Sequence, residues 1–360
     1  MTPSSRLLLL AIGASLIAPA STSAIVGGSP AAPGRWPWMA ALVSPYAPDG
    51  ASGFTCGGTV IAPRRVLTAA HCVLGVAPSQ LAVVVGRQRL SESGGKTIPV
   101  SGVAVFPGYA AGQRQPLDAA IVTLAEDAGV APVRLATAAD AAAWAPGTPG
   151  WVTGWGQIEA KPTPGGTNYY ADRLRELQLP LVSDETCEAA YGAGDGLLTY
   201  RPKYNLCAGT GAGTAGDCYG DSGGPLAVET PAGWLQIGIV ETGDACASPG
   251  FYDIYTRVDR ISAFAKRSGL TEQPYPLSPV RVRGKLKAGA TLRCANGRWA
   301  NRPTSYGYSW YRIGTRVRLL LDGDARHKLT HADAENGVAC SITAGNSGGS
   351  YESYAAPLTP

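Results

Sequence analysis

Short runs in which apolar residues alternate with polar or small ones, broken by turn residues, fill most of the chain. Residues 80–85, 97–105, 119–124, 175–181 and 235–240 each read as a strand, because a period of two puts every second side chain of a pleated segment on one face. Helical spacing stands out once. Asp259, followed by Ile261, Phe264 and Ala265 and stopped by Gly269, predicts a short amphipathic helix that closes a first unit over 25–270. Residues 271–280 carry Pro274, Pro276 and Pro279 and predict an extended, stiff linker. Past it, alternation at 286–294, 308–312 and 338–344 predicts a second strand-built unit over 281–360. No internal repeat is visible on either side of the linker.

Composition agrees with that pattern. Gly 47 and Pro 28 against Met 2 favour many turns and short strands, and 45% hydrophobic with 16% charged residues leaves ample apolar material for a core, which excludes a disordered chain. At the N-terminus one cation, Arg6, precedes an apolar run to Ala18 and small residues to Ala24, the layout of a secretory signal peptide over 1–24. That apolar run is shorter than the ~20 residues of a bilayer span and no second one follows, so a secreted, extracellular protein without a membrane span is expected. Eight cysteines, none in close C-x-x-C spacing, predict four disulfides rather than a zinc site, although eight cysteines allow about 105 pairings.

The run Gly220-Asp221-Ser222-Gly223-Gly224-Pro225 surrounds one hydroxyl with glycines, a backbone able to turn its N–H groups toward a substrate carbonyl. A serine is a weak nucleophile at ordinary pH and needs a base within hydrogen-bond reach. The only histidine before residue 327 is His71, next to Cys72, whose disulfide would restrict its position. Asp118 leads into the apolar run 119–122, where a buried carboxylate needs a hydrogen-bonding partner such as an imidazole N–H.

These segments resemble the trypsin-like serine proteases of the chymotrypsin family. The likeness extends over Ile25-Val26-Gly27-Gly28, Cys56-Gly57-Gly58, Leu67-Thr68-Ala69-Ala70-His71-Cys72, Trp151-Val152-Thr153-Gly154-Trp155-Gly156 and Tyr255-Thr256-Arg257-Val258, and so covers residues 25 to 270. It implies an all-β fold of two antiparallel β-barrels with a short C-terminal helix. It implies a peptide-hydrolysing enzyme with His71 as base and acid, Asp118 as its orienting partner, Ser222 as nucleophile, and an oxyanion hole made by the amides of Gly220 and Ser222. It also implies the bridges Cys56 with Cys72, Cys187 with Cys207 and Cys218 with Cys246. The freed amine of Ile25 is expected to pair with Asp221, a zymogen-like activation. Signal cleavage after Ala20 would leave Ser21 to Ala24 as a minimal propeptide, whereas cleavage after Ala24 would expose Ile25 at once. No Lys or Arg precedes Ile25, so a trypsin-like activating cut is not expected.

The primary pocket departs from trypsin. The residue six before the serine, an aspartate in trypsin, is Gly216 here, with Asp217 beside it, while Asp253 occupies a position that is usually glycine. The carboxylate is read as having crossed the pocket, which favours Arg or Lys at the cleaved position, with Gly243 keeping the mouth open; a shifted loop register would instead leave Asp253 on the surface. A broader, collagenase-like preference is the competing specificity. Glu241-Thr242-Gly243 replaces the usual Ser-Trp-Gly and puts a second carboxylate near Asp118, which motivates the other alternative, a weak or inactive binding protein on a protease fold.

In the second unit Cys294, Trp310 and Cys340 occur in the order of an immunoglobulin-like sandwich, which predicts a fourth bridge, Cys294 with Cys340. His327 and His331 are read as part of a solvated turn or strand end, and no metal or cofactor is implied. Net charge changes sign at residue 274: 18 Lys+Arg against 21 Asp+Glu before it give −3, and 12 against 5 after it give +7. Partners are therefore expected to be protein or peptide substrates for a monomer that binds no nucleic acid, with the basic C-terminal unit either a solvated face or a dock for an anionic cell-surface polymer.

Overall fold

The computed structural model describes residues 25–109, 117–159, 170–192, 200–313, 319–321 and 323–360; the predicted signal segment 1–24 lies outside them. Among the described residues no helix is long and apolar enough to cross a membrane.

Six strands close the first barrel: β1 (Met39–Val43), β2 (Phe54–Ala62), β3 (Arg65–Thr68), β4 (Ala82–Val85), β5 (Lys96–Val105) and β6 (Ala120–Leu124), in the order β1-β2-β3-β6-β5-β4. The second ring is β7 (Pro149–Gly154), β8 (Arg175–Val182), β9 (Asn205–Ala208), β10 (Pro225–Thr230), β11 (Gly233–Thr242) and β12 (Asp253–Arg257), in the order β7-β8-β9-β12-β11-β10. The two rings share one topology, a repeat of architecture that leaves no trace in the residues. One apolar cluster runs through both, from Leu67, Ile121 and Val122 to Val152, Leu226 and Ile239.

The five alternating runs of the first unit are strands in the structure, with ends that differ by a few residues. Periodicity missed seven of the twelve barrel strands, β1, β2, β3, β7, β9, β10 and β12; all residues of β1 are buried, and in β2 Gly57 and Gly58 interrupt the alternation. Those glycines are steric requirements: a Cβ on Gly57 would lie 3.0 Å from the Gly224 amide, and one on Gly58 2.8 Å from Val66. A helix that the spacing did not predict, α1 (Asp184–Tyr191), is capped by Ser183 accepting from the Thr186 amide, has two acids in its first turn and carries buried Cys187. The predicted terminal helix is α2 (Val258–Lys266). Asp259 lies inside its first turn and binds the Arg257 guanidinium at 3.0 Å.

Residues 281–360 form two sheets, β13 (Arg281–Arg283), β14 (Thr291–Ala295) and β17 (Arg326–Lys328) against β16 (Leu319–Leu320), β15 (Ser305–Arg312), β18 (Val338–Asn346) and β19 (Gly349–Tyr354). Cys294 on β14 is bonded to Cys340 on β18, and Trp310 on β15 is fully buried between the sheets. His327 is not solvated: it is buried beside Trp310 and 3.2 Å from Asp333, whereas His331 is exposed against Glu335.

The proline-rich segment is not free. Gln273 is almost wholly buried; its amide group donates to the carbonyls of Val73 and Val76, each at 2.9 Å, and accepts from the Gly75 amide at 3.2 Å. Its backbone N–H binds Val103 O on β5, and Val105 N–H reaches Gly348 O in the β18–β19 turn. The sandwich is thereby bonded to the first barrel, directly behind the loop that follows His71.

Candidate active site

Strand β3 delivers the chain into a single 3-10 turn, Ala70–Cys72, and the bond from Cys72 to Cys56 on β2 holds that turn to the barrel wall. His71 sits on the turn. Its backbone and one ring nitrogen both meet Asp118, just ahead of β6: the backbone N–H donates to Oδ1 at 2.9 Å and ring Nδ1 lies 2.5 Å from Oδ2. Asp118 is buried, and its own amide donates to Thr256 Oγ1 on β12 at 3.2 Å, so the second barrel helps to seat it. Burial opposes charge on the ring, but the hydrogen bond and charge of Asp118, with a contribution from Glu241, prevail and raise the His71 pKa.

Ser222 comes from the loop before β10. Its carbonyl accepts from Gly57 N–H at 2.8 Å, Gly223 N–H donates to Val240 O at 2.9 Å, and Gly224 N–H to Asp221 O at 2.9 Å, so both barrels grip the loop. Gly220 has φ +92°, and a Cβ there would stand 2.7 Å from the Tyr170 ring. Among the described residues the amides of Gly220 and Ser222 have no protein acceptor, and Ser222 Oγ makes no hydrogen bond to the imidazole. Such nucleophile–base contacts are often long before substrate binds.

Asp221 is fully buried, accepting from the amides of Gly156 at 2.9 Å and Cys218 at 3.0 Å. Burial pushes its pKa up to about 7. Ile25 is fully buried too, and Val26 O accepts the Gly216 amide at 3.0 Å, which brings the Ile25 end of the described chain to the loop that leads to Ser222. Ile25 holds φ +50°, a strained value for a β-branched residue.

Beside Ser222 a pocket is lined by Asp217, Gly243, Cys246 and Asp253, and the bond Cys218–Cys246 joins its two walls. Asp253 is buried in that pocket, so the register that would have exposed it is not the one adopted. Its Oδ2 accepts the Asp217 amide at 3.0 Å, and an ideal Cβ on Gly216 would lie 2.9 Å from both Asp253 oxygens. Burial raises both acids, Asp253 to about 7 and Asp217 well above the carboxylate range, the charge of Asp253 adding to the latter.

Glu241 also lines the pocket. Its Oε2 accepts from Thr256 Oγ1 at 2.5 Å and Asn205 Nδ2 at 2.8 Å. Sequence reasoning placed Glu241 near Asp118 but missed Thr256 and Asn205 as its partners. Thr256 stood in view inside Tyr255-Thr256-Arg257-Val258; nothing local marked Asn205, which reaches the site only because β9 pairs with β12.

Residues 25–265 match the family model described as Trypsin. The chain is similar to a trypsin of Saccharopolyspora erythraea, 38% identical over 65% of this chain and 93% of that protein. It is 35% identical to a trypsin-like protease of Streptomyces glaucescens, over 69% of this chain and 82% of the relative. A tryptase of Mus musculus is 36% identical over 65% of this chain and 84% of its own length.

Proposed function

Because the chain belongs to the trypsin family of serine proteases, we propose that it is a secreted endopeptidase that cuts after Arg or Lys through an acyl-enzyme on Ser222. The observation that carries the reading is the 2.5 Å contact of His71 with buried Asp118, on a site whose neighbouring pocket holds Ser222 and two buried carboxyls. In the first half-reaction Ser222 Oγ bonds to the scissile carbonyl carbon while His71 Nε2 takes its proton. The negative oxygen is received by the amides of Gly220 and Ser222, and Asp118 stabilises the imidazolium. His71 then gives the proton to the leaving amine; water repeats the sequence and frees the acid.

A substrate cation entering the pocket would meet the carboxyls of Asp253 and Asp217. Burial raises the pKa of Asp253 to about 7 and keeps a proton within reach at neutral pH, which favours a second specificity: apolar side chains are also admitted, more so in mild acid. The freed amine of Ile25 pairs with Asp221 in the active form. Four disulfides fit an oxidising, extracellular setting. The two-sheet unit with its bridge over Trp310 is read as immunoglobulin-like.

Labelling with a fluorophosphonate, followed by peptide mapping, tests the mechanism: the expected adduct is on Ser222, and an unlabelled protein returns the chain to the class of inactive binding proteins. Cleavage of a peptide library tests the pocket, with Arg and Lys expected first.

A further inference from the structure

The three-stranded sheet of the C-terminal unit has one face of a single sign. Val282, Leu292, Cys294 and His327 alternate with Arg281, Arg283, Arg293, Arg326 and Lys328, and all five cations are exposed. The register puts Arg283 directly opposite Arg293, and Arg293 directly opposite Arg326, three guanidinium-bearing positions in a row across three strands. Arg281 and Lys328 flank that row at the spacing of two residues. Strands ~4.8 Å apart and a rise of ~3.3 Å per residue confine the five to a patch of roughly 10 by 14 Å.

Like charges directly opposite each other weaken a sheet, and a single Glu on the central strand would relieve the strain. No acid occurs on these three strands, and among the described residues none of the five cations forms an ion pair. At a Debye length of ~8 Å in physiological salt, charges this close still add their potentials. Lys285, Lys287 and Arg298, exposed in the adjoining turns, extend the field.

We propose that this face binds an extended anionic polysaccharide, one bearing carboxylate, sulfate or phosphate groups along its length, and holds the protease on a surface made of it. Guanidinium forks suit planar and tetrahedral anions. The face has no aromatic side chain on which a base could stack, which disfavours single-stranded nucleic acid, and no large exposed apolar side chain to enter a bilayer. Since Gln273 and Gly348 bond the sandwich to the first barrel, a polymer on this face also fixes how the active site is presented.

The test uses the full chain and heparin, a sulfated glycan, as probe, with affinity read by fluorescence anisotropy at two salt concentrations. The triple substitution Arg283→Ser, Arg293→Ser and Arg326→Ser should weaken heparin binding ~10-fold or more and flatten its salt dependence, because three charge-assisted contacts are lost. A control that removes the same charge elsewhere, Lys203→Ser with Lys266→Ser and Arg267→Ser, should change it by less than ~2-fold. Hydrolysis of a short peptide substrate should be equal in all three proteins, which shows that each is folded. Equal losses in the two triple variants would reduce the effect to net charge and overturn the assignment. Tighter binding of a single-stranded oligonucleotide or of phosphatidylserine vesicles than of heparin would overturn the choice of a glycan.

Discussion

Glu241 Oε2 accepts a 2.5 Å hydrogen bond from Thr256 Oγ1, and that same hydroxyl oxygen accepts the Asp118 amide at 3.2 Å. A second carboxyl thus stands one hydroxyl behind the carboxylate that holds His71. Burial first, then the charge of Asp118, push the Glu241 pKa up to about 8, so it keeps its proton at neutral pH. Ionisation above that adds negative charge next to His71 and favours the imidazolium. Glu241→Gln should therefore leave the acidic limb of the kcat/KM profile in place and change the profile only above about pH 8, where the wild-type carboxyl ionises. Its effect on stability has the opposite sign from a salt-bridged acid: between 4.5 and about 8 the folded state binds more protons than the unfolded one, so wild-type stability falls as pH rises through that window. In Glu241→Gln the fall should be shallower, and superimposable Tm curves from pH 5 to 8.5 would show that another group is responsible.

What could be read in the residues depended on whether the chemistry was local. Ser222 with its glycines, His71 beside Cys72, and Asp118 ahead of an apolar run announce themselves because each needs its immediate neighbours. Strand β5 begins with true alternation and was legible, whereas β1 is buried on every side and carries no period. The contact of Asn205 with Glu241 arises from pairing between strands 51 residues apart at their registered positions Asn205 and Thr256, which no window of sequence contains. Gln273 was hidden for a related reason: its partners Val73, Gly75 and Val76 lie on another unit, and a lone Gln in a proline-rich stretch signals nothing.

The pairing proposed for Ile25 and Asp221 predicts a stability difference between precursor and mature chains. In the uncut chain burial raises Asp221 from 3.8 to about 7, so that chain loses stability as pH climbs through this range. A freed Ile25 ammonium would favour the carboxylate and cancel the loss, while relaxing the strained φ of Ile25. The mature chain should be the more stable form at pH 8, with a gap that narrows toward pH 4. A gap of constant size across pH, measured by thermal unfolding of the Ser222→Ala protein with and without residues 1–24, would dissociate the two residues.

Replacing Ser222 or His71 by Ala should each cost about 10⁴–10⁶ in kcat, because members of such a unit fail together. The double variant should be little worse than either single one. Near-wild-type turnover of a peptide ester by Ser222→Ala would sink the acyl-enzyme.

Gln273→Ala should destabilise the full chain by about 1–3 kcal/mol, since the Val76 carbonyl and the Gly75 amide lose their partner, whereas the Val73 carbonyl keeps the Val76 amide. Hydrogen exchange of residues 73–76 should accelerate while the amides of β18 keep their protection. Uniform acceleration over both units would mean that the contact supports global stability only.

The pocket prediction rests on two positions that exclude each other's usual side chains. A Cβ on Gly216 would be 2.9 Å from both oxygens of Asp253, so Gly216→Asp alone places two carboxyls in one small volume and should lower activity toward every substrate. Asp253→Ser leaves an entering cation without its partner and should cost ~2 to 5 kcal/mol in kcat/KM for Arg and Lys substrates while sparing apolar ones. Asp217→Ala should act in the same direction but more weakly, because its charge is the more strongly suppressed by burial. The decisive variant combines Gly216→Asp with Asp253→Gly: it relieves the crowding and returns a carboxyl to the other wall, so preference for Arg over apolar residues should survive or sharpen. Loss of that preference in the double variant, with thermal stability retained, would show that the two positions do not serve one cation. An equal loss for cationic and apolar substrates in Asp253→Ser would instead assign Asp253 to the framework that holds the Asp217 amide.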